Sequence, residues 1–159
     1  MRTLLIVFVA ALVTACGFQL RSAQPLPFTS LYIAENWELG AILRRNIRAL
    51  GSTQLSDRPQ EAQAVFTLIG EAKEKQVLSV SATGRVREFQ LRHRLAFRVH
   101  DLKGREFIPP TEIVLARTIS FNDEYVLAKE REEELYYRDM QNDMVQQIMR
   151  RLAAARIEG

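Results

Sequence analysis

Two groups of residues in this 159-residue chain could do chemistry: one thiol, Cys16, and a series of guanidinium groups, Arg85, Arg87, Arg92, Arg94 and Arg98. A thiolate is a nucleophile and a metal ligand, but a single cysteine closes no disulfide within its own chain. A guanidinium is planar, permanently charged and able to grip phosphate or carboxylate through two parallel bonds. Arg92, Arg94 and Arg98 stand at steps of two and four, so on a strand they share one face, and Arg85 and Arg87 continue the row toward a turn. The row suits an anionic lipid headgroup or an acidic protein surface, and it suits an ordinary solvated sheet face equally well.

The remaining reactive residues are sparse. There is no paired His/Cys spacing for a metal, no Gly-x-Ser-x-Gly, no phosphate loop and no dinucleotide fingerprint. His93 falls on the apolar side of its segment and reads as a hydrogen-bonded core histidine, while His100 sits by a turn and is expected to be exposed. Glu130, Glu132, Glu133 and Glu134 read as the solvated start of a helix. No catalytic residue, metal or cofactor is therefore expected. The formal charge is +3, or +2 without Arg2, too mild an excess to indicate a nucleic-acid binder.

The surroundings of Cys16 give its chemistry a setting. Arg2 precedes an apolar run from Leu4 to Val13, and Thr14 and Ala15 are small. A charged start, an apolar middle and a small-residue cleavage site make a secretory signal. As a helix, Leu4 to Val13 would be about 15 Å long, half of the ~30 Å hydrocarbon core, which is too short for a lasting anchor. Val13-Thr14-Ala15-Cys16 resembles the lipobox of bacterial lipoproteins, in which the cysteine is acylated and becomes the mature N-terminus. That resemblance implies a signal over residues 1–15 and three acyl chains on Cys16. Each buried CH₂ contributes ~0.8 kcal/mol, and stable anchoring takes more than one chain. Gly17, rather than Asp, follows the cysteine and points to the outer membrane.

Residues 16–29 contain two prolines and no sustained period, so they read as a tether, leaving residues 30–159 as a single domain. Ser30–Ala34 is a short strand, and Asn36 can cap a helix over Trp37–Leu50. That helix has an apolar stripe of Leu39, Ile42, Leu43, Ile47 and Leu50, with Arg44, Arg45 and Arg48 turned mainly away. Ser52–Gln63 reads as a loop or an irregular strand start. Ala64–Ile69 begins a strand whose polar continuation to Val80 reaches past the core. From Glu88 to His100 strict alternation places Phe89, Leu91, His93, Leu95, Phe97 and Val99 on one side and the arginines on the other. Pro109-Pro110 marks a break before a strand over Glu112–Phe121. A long helix from about Leu127 to Arg156 buries Tyr137, Met140, Met144, Ile148 and Leu152, its acids gathered at the start and its arginines at the end, as the helix dipole favours.

The order β-α-β-β-β-α predicts an α+β domain with two helices packed on one face of a four-stranded mixed sheet. The other face is left without a helix to cover it.

The chain resembles the LptE family of lipopolysaccharide-assembly lipoproteins. Cys16-Gly17-Phe18-Gln19-Leu20-Arg21 is similar to that family's Cys-Gly-aromatic-x-Leu-Arg start. Arg117-Thr118-Ile119-Ser120-Phe121, followed by Leu127-Ala128-Lys129-Glu130, is similar to its last strand and the start of its final helix. The resemblance implies a non-catalytic plug inside the outer-membrane β-barrel LptD, which places lipopolysaccharide in the outer leaflet, and a role in assembling that barrel. It also implies Lys129 as a contact for lipopolysaccharide phosphates. The alternative is a free-standing envelope lipoprotein that binds anionic lipid with no barrel partner.

Overall fold

The computed structural model describes residues 24–34, 36–122 and 125–157. Cys16, the expected signal and the expected tether up to residue 23 lie outside these residues. In chain order the elements are β1 (Ser30–Ile33), α1 (Glu38–Leu50), β2 (Gln54–Ser56), a 3₁₀ turn (Pro59–Glu61), β3 (Ala64–Val80), β4 (Val86–His100), β5 (Glu106–Ser120) and α2 (Val126–Ala154).

The alternating segment becomes β4 and fixes the layer architecture. Leu91, His93, Leu95, Phe97 and Val99 are buried, while the intervening residues are half-buried or exposed. Only one face of the sheet meets the helices, as the sequence predicts. The sheet has five strands rather than four, in the order β2-β1-β3-β4-β5. The extra strand, β2, pairs in parallel with β1, which is also parallel to β3; β3, β4 and β5 form an antiparallel meander. Three largely polar residues, Gln54-Leu55-Ser56, carry no period that a sequence reading could detect.

Apolar residues of α1 (Leu39, Leu43, Ile47) and of α2 (Met144, Val145, Ile148, Leu152) meet the helix-facing side chains of the sheet in one core. Burying each such side chain contributes about 1.5–3 kcal/mol. Phe66 and Phe97 stack at 4.9 Å and Trp37 stacks on Phe66 at 5.8 Å, which ties the start of α1 to the sheet. Leu26 and Phe28 are buried in the same core, so the described end of the expected tether packs as part of the domain. A smaller cluster of Leu91, Ile119 and Met140, flanked by Phe89, Leu115, Tyr136 and Tyr137, lies higher up under the N-terminal half of α2.

A polar belt separates the two clusters, and a bulge creates it. Leu68 pairs with Phe97 but Gly70 pairs with Ala96, so Ile69 is an extra residue and the phase of β3 reverses. Beyond the bulge Glu71, Lys73 and Lys75 stand opposite Leu95, His93 and Leu91, on the helix side. There His93 Nε2 meets Glu71 Oε1 at 2.7 Å, Lys73 lies 3.6 Å from Glu38, and Gln141 Nε2 donates to Glu38 at 3.0 Å. The histidine is a buried, hydrogen-bonded core residue, as read from the sequence.

Several boundaries differ from the expectation. α1 starts at Glu38, and Trp37, not Asn36, holds the cap position without a side-chain cap bond. Arg44 is buried and donates to Ile33 O at 2.8 Å. β5 runs through Pro109-Pro110: Val99 pairs with Ile108 and Phe97 with Thr111, which leaves the prolines in a bulge of an edge strand, where no N–H is needed. His100 is half-buried, bonded to Thr67 and to the Asp101 carbonyl. No acid lies in the first turn of α2. Glu132 and Glu133 pair with Lys129 and Lys75, while Glu130 and Glu134 are exposed, as a solvated helix start would have them.

Candidate functional site

β3 and β4 carry the sheet past the main core to a turn at Ser81–Arg85, where Gly84 has a left-handed φ of +79°. This turn marks the distal end of the molecule. Phe121 N donates to Arg87 O at 2.7 Å, which brings the end of β5 and the approach to α2 to the same place. Of the ten large hydrophobic residues exposed among the described residues, seven gather here or on the adjoining first turns of α2: Val77, Leu78, Val80, Tyr125, Val126, Leu127 and Leu135. Apolar side chains concentrated in this way mark a surface that meets something other than water.

The expected arginine row is split by the geometry. Arg92, Arg94 and Arg98 do share the uncovered face, but Arg87 does not continue them. It is the extra residue where Ser79 pairs with Glu88 and Val80 with Val86, and Arg85 belongs to the turn. On the uncovered face Arg94 pairs with Glu74 of β3 and lies 3.8 Å from Glu112 of β5, while Arg98 lies 3.8 Å from Glu106. The hydrogen bond and charge of Glu74 raise the Arg94 pKa further above its ordinary value. Arg92 has no ion pair among the described residues. The face holds Glu74, Glu88, Glu106 and Glu112 against these three arginines, so it is balanced rather than basic.

Lys129 is held at the distal end, where its Nζ donates to Ser120 Oγ at 3.0 Å and to Glu132 at 2.7 Å. Lys129, Arg85 and Arg87 are thus brought to the same end of the molecule, Arg85 and Arg87 exposed and without ion pairs among the described residues. Tyr137 ties α2 to the hairpin, its hydroxyl donating to Glu74 O at 2.8 Å. Burial raises its pKa, and the charges of Glu133 and Glu74 add to the effect.

Two features escape the sequence reading. Arg44 lines an open cleft of about 420 Å³ with Tyr32, Ala34, Asn36 and Asp57, and its guanidinium is 3.9 Å from Asp57. Its burial depends on β2 and the following loop, which carry no clear pattern. The second is the basic end opposite the turn, where exposed Arg48 of α1, Lys103 of the β4–β5 turn and Arg156 just past α2 come from three separate parts of the chain. Among the described residues no cluster of His, Cys, Asp or Glu could hold a metal ion, and no helix is long and apolar enough to cross a membrane.

A helix-backed sheet with one uncovered face, an over-long hairpin and a distal apolar patch defines a small α+β domain whose working parts are surfaces. The chain belongs to the LptE family, described as lipopolysaccharide-assembly, whose model matches residues 28–152. It is 28 % identical to the LPS-assembly lipoprotein LptE of Yersinia enterocolitica, over 94 % of this chain and 74 % of that protein. Its fold matches the solution NMR structure of a lipoprotein B from Nitrosomonas europaea with a TM-score of 0.75 and 38 % identity, covering 87 % of this chain and 91 % of that one. The crystal structure of the rare lipoprotein B from Shewanella oneidensis matches with a TM-score of 0.66 and 26 % identity, over 79 % and 94 % of the two chains.

Proposed function

We propose that this chain is a non-catalytic outer-membrane lipoprotein, anchored through acylated Cys16, that plugs an LptD-type β-barrel, supports its assembly and helps deliver lipopolysaccharide to the outer leaflet. Family membership supports the assignment to lipopolysaccharide assembly. One structural observation supports the plug reading: the hairpin continues past the core and ends in exposed Val77, Leu78 and Val80. In water those side chains are unfavourably placed; enclosed by a barrel wall or by acyl chains they are not. The balanced, ion-paired sheet face suits a polar lumen better than a headgroup layer. Arg85, Arg87, Arg92 and Lys129 are the proposed contacts for lipopolysaccharide phosphates, and Arg94 and Arg98 are proposed to lock neighbouring strands.

Affinity purification of the full chain from outer membranes is expected to recover a large β-barrel protein. Recovery of the chain alone in every detergent would favour a free-standing lipoprotein that binds anionic lipid. Reversing charge at Arg85, Arg87 and Lys129 together should weaken lipopolysaccharide binding about tenfold or more, since each charge-assisted hydrogen bond is worth about 1.5–3 kcal/mol. Unchanged binding would remove these residues from the lipid site and leave the plug role standing.

A further inference from the structure

The proximal end, opposite the β3–β4 turn, is where the described chain begins. Leu26 N donates to Ser52 Oγ at 3.4 Å, Thr53 Oγ1 donates to Phe28 O at 2.9 Å, and Phe28 packs on Phe107 at 5.5 Å. These contacts gather the first described residues, the C-terminus of α1 and the β4–β5 turn at one place. The last turns of α2 run toward it, since the helix starts beside the distal turn, where Lys129 bonds Ser120, and passes back along the sheet to Arg151, which donates to Glu112 O at 3.4 Å.

Exposed cations predominate here, and the exposed acid beside them, Glu106, lies 3.8 Å from Arg98. Arg48, Lys103, Arg105 and Arg156 are exposed, and Leu102, at the tip of the turn, is 57 % exposed. Arg48, Lys103 and Arg156 have no ion pair among the described residues. Asp101, the acid of the turn, is already engaged: its carboxylate accepts from the amides of Lys103 at 2.9 Å and Arg105 at 2.8 Å and lies 3.4 Å from the Arg105 guanidinium.

We infer that this end docks on the anionic headgroup surface of the leaflet that holds the N-terminal anchor. Leu102 enters the interface, and Arg48, Lys103 and Arg156 meet lipid phosphates. The inference rests on the lipid-anchored reading of Cys16 and concerns the lipoprotein before it engages a barrel. Reach decides the orientation. From Cys16 to Leu26 the chain extends at most ~36 Å. β3 alone carries the sheet ~55 Å toward the distal turn, at about 3.3 Å per residue. An anchored molecule therefore keeps its basic end within reach of the headgroups, whose negative potential attracts cations lying within a Debye length. An apolar tip flanked by cations is the amphipathic pattern that such an interface accepts.

The test uses the full acylated chain in phosphatidylcholine vesicles, with or without phosphatidylglycerol, each carrying a headgroup-photoreactive lipid. Crosslinks are expected on the Asp101–Arg105 turn and beside Arg48 and Arg156, enriched several-fold by phosphatidylglycerol and lost as salt is raised. Combined R48E, K103E and R156E should reduce them by about fivefold or more, since a single cation near an anionic surface is already worth that factor. The salt dependence of the unmutated chain keeps the test independent of how the variant folds. Crosslinks that map to Ser81–Arg87 or along the uncovered sheet face, or that ignore phosphatidylglycerol, would overturn this inference alone. An unmodified Cys16 in the intact mass of the same sample would overturn the anchor reading, and the inference with it.

Discussion

Individual side chains show how far spacing can be trusted. Parity placed Arg92, Arg94 and Arg98 on one face correctly, because a regular strand keeps its phase. Arg87, five residues before Arg92, has the opposite parity, so alternation alone already takes it out of that row, and the bulge there also unpairs it. Alternation says nothing of Glu74 and Glu112, whose proximity to Arg94 depends on register with two other strands. The belt under α2 was hidden for the same reason, and Tyr137 is its most testable member. Its hydroxyl donates to a β3 carbonyl, and its pKa in the fold is raised by burial and by nearby carboxylates. The neutral phenol is thus favoured in the folded state. Its contribution is fully present below the unfolded value of about 10 and is lost as pH rises toward the higher folded value. Tyr137→Phe should cost about 1 kcal/mol at neutral pH through the lost hydrogen bond. The gap between the two proteins should then narrow at about pH 10.5. Urea titrations at the two pH values check this, and a gap that stayed constant would show that the hydroxyl does not report on the hairpin contact.

Elements with a sustained period were legible, and short or interrupted ones were not. β4 and the buried stripe of α2 announce themselves through repetition, whereas β2 is three residues long and β5 hides behind two prolines that an edge strand tolerates. The start of α1 is a third case, because a glycine stands where a helix former would be expected. A Cβ built at Gly40 would fall inside the van der Waals envelope of the Trp37 indole, which is itself stacked on Phe66. Alanine at this position would gain about 1 kcal/mol of helix propensity. Displacing the indole forfeits a stack worth about 0.5–1.5 kcal/mol together with its burial, and overpacking typically costs about 1–3 kcal/mol. The second effect is larger, so Gly40→Ala should destabilise the protein by about 1 kcal/mol. Trp37 is the sole tryptophan, so its emission reports the displacement directly as a shift to longer wavelength. A variant more stable than the parent, with unchanged emission, would show that the ring yields freely.

At the scale of the whole molecule, the two apolar clusters divide the labour of folding and recognition. The main core joins both helices to all the strands except β2, whose Leu55 packs against its edge, and it does not depend on the distal hairpin. The upper cluster is small, and beyond it β3 and β4 make contacts that a free-standing domain hardly needs. These include the edge-to-face pair of Phe89 and Phe121 at 5.2 Å and the Lys75 ammonium 4.5 Å above the Phe89 ring. Gln76 and Gln90 stand opposite each other in the ladder. Replacing Val77–Phe89 by Asn-Gly would close the hairpin at that level with a two-residue turn suited to the strand twist. The trimmed chain should still unfold cooperatively, with a loss of about 1–3 kcal/mol, in the range of ordinary single substitutions. Recovery of the β-barrel in affinity purification should fall to background, because the hairpin's share of the exposed apolar surface, Val77, Leu78 and Val80, is gone while the uncovered sheet face below it is intact. If the trimmed chain still captured the barrel, docking would reside on the exposed start of α2 (Val126, Leu127, Leu135) or on that lower face, and reversing charge at Arg92 and the Arg94–Glu74 pair would separate the two. If it failed to fold, the polar belt would be a seam within one cooperative core, and the hairpin would be structural before it is functional.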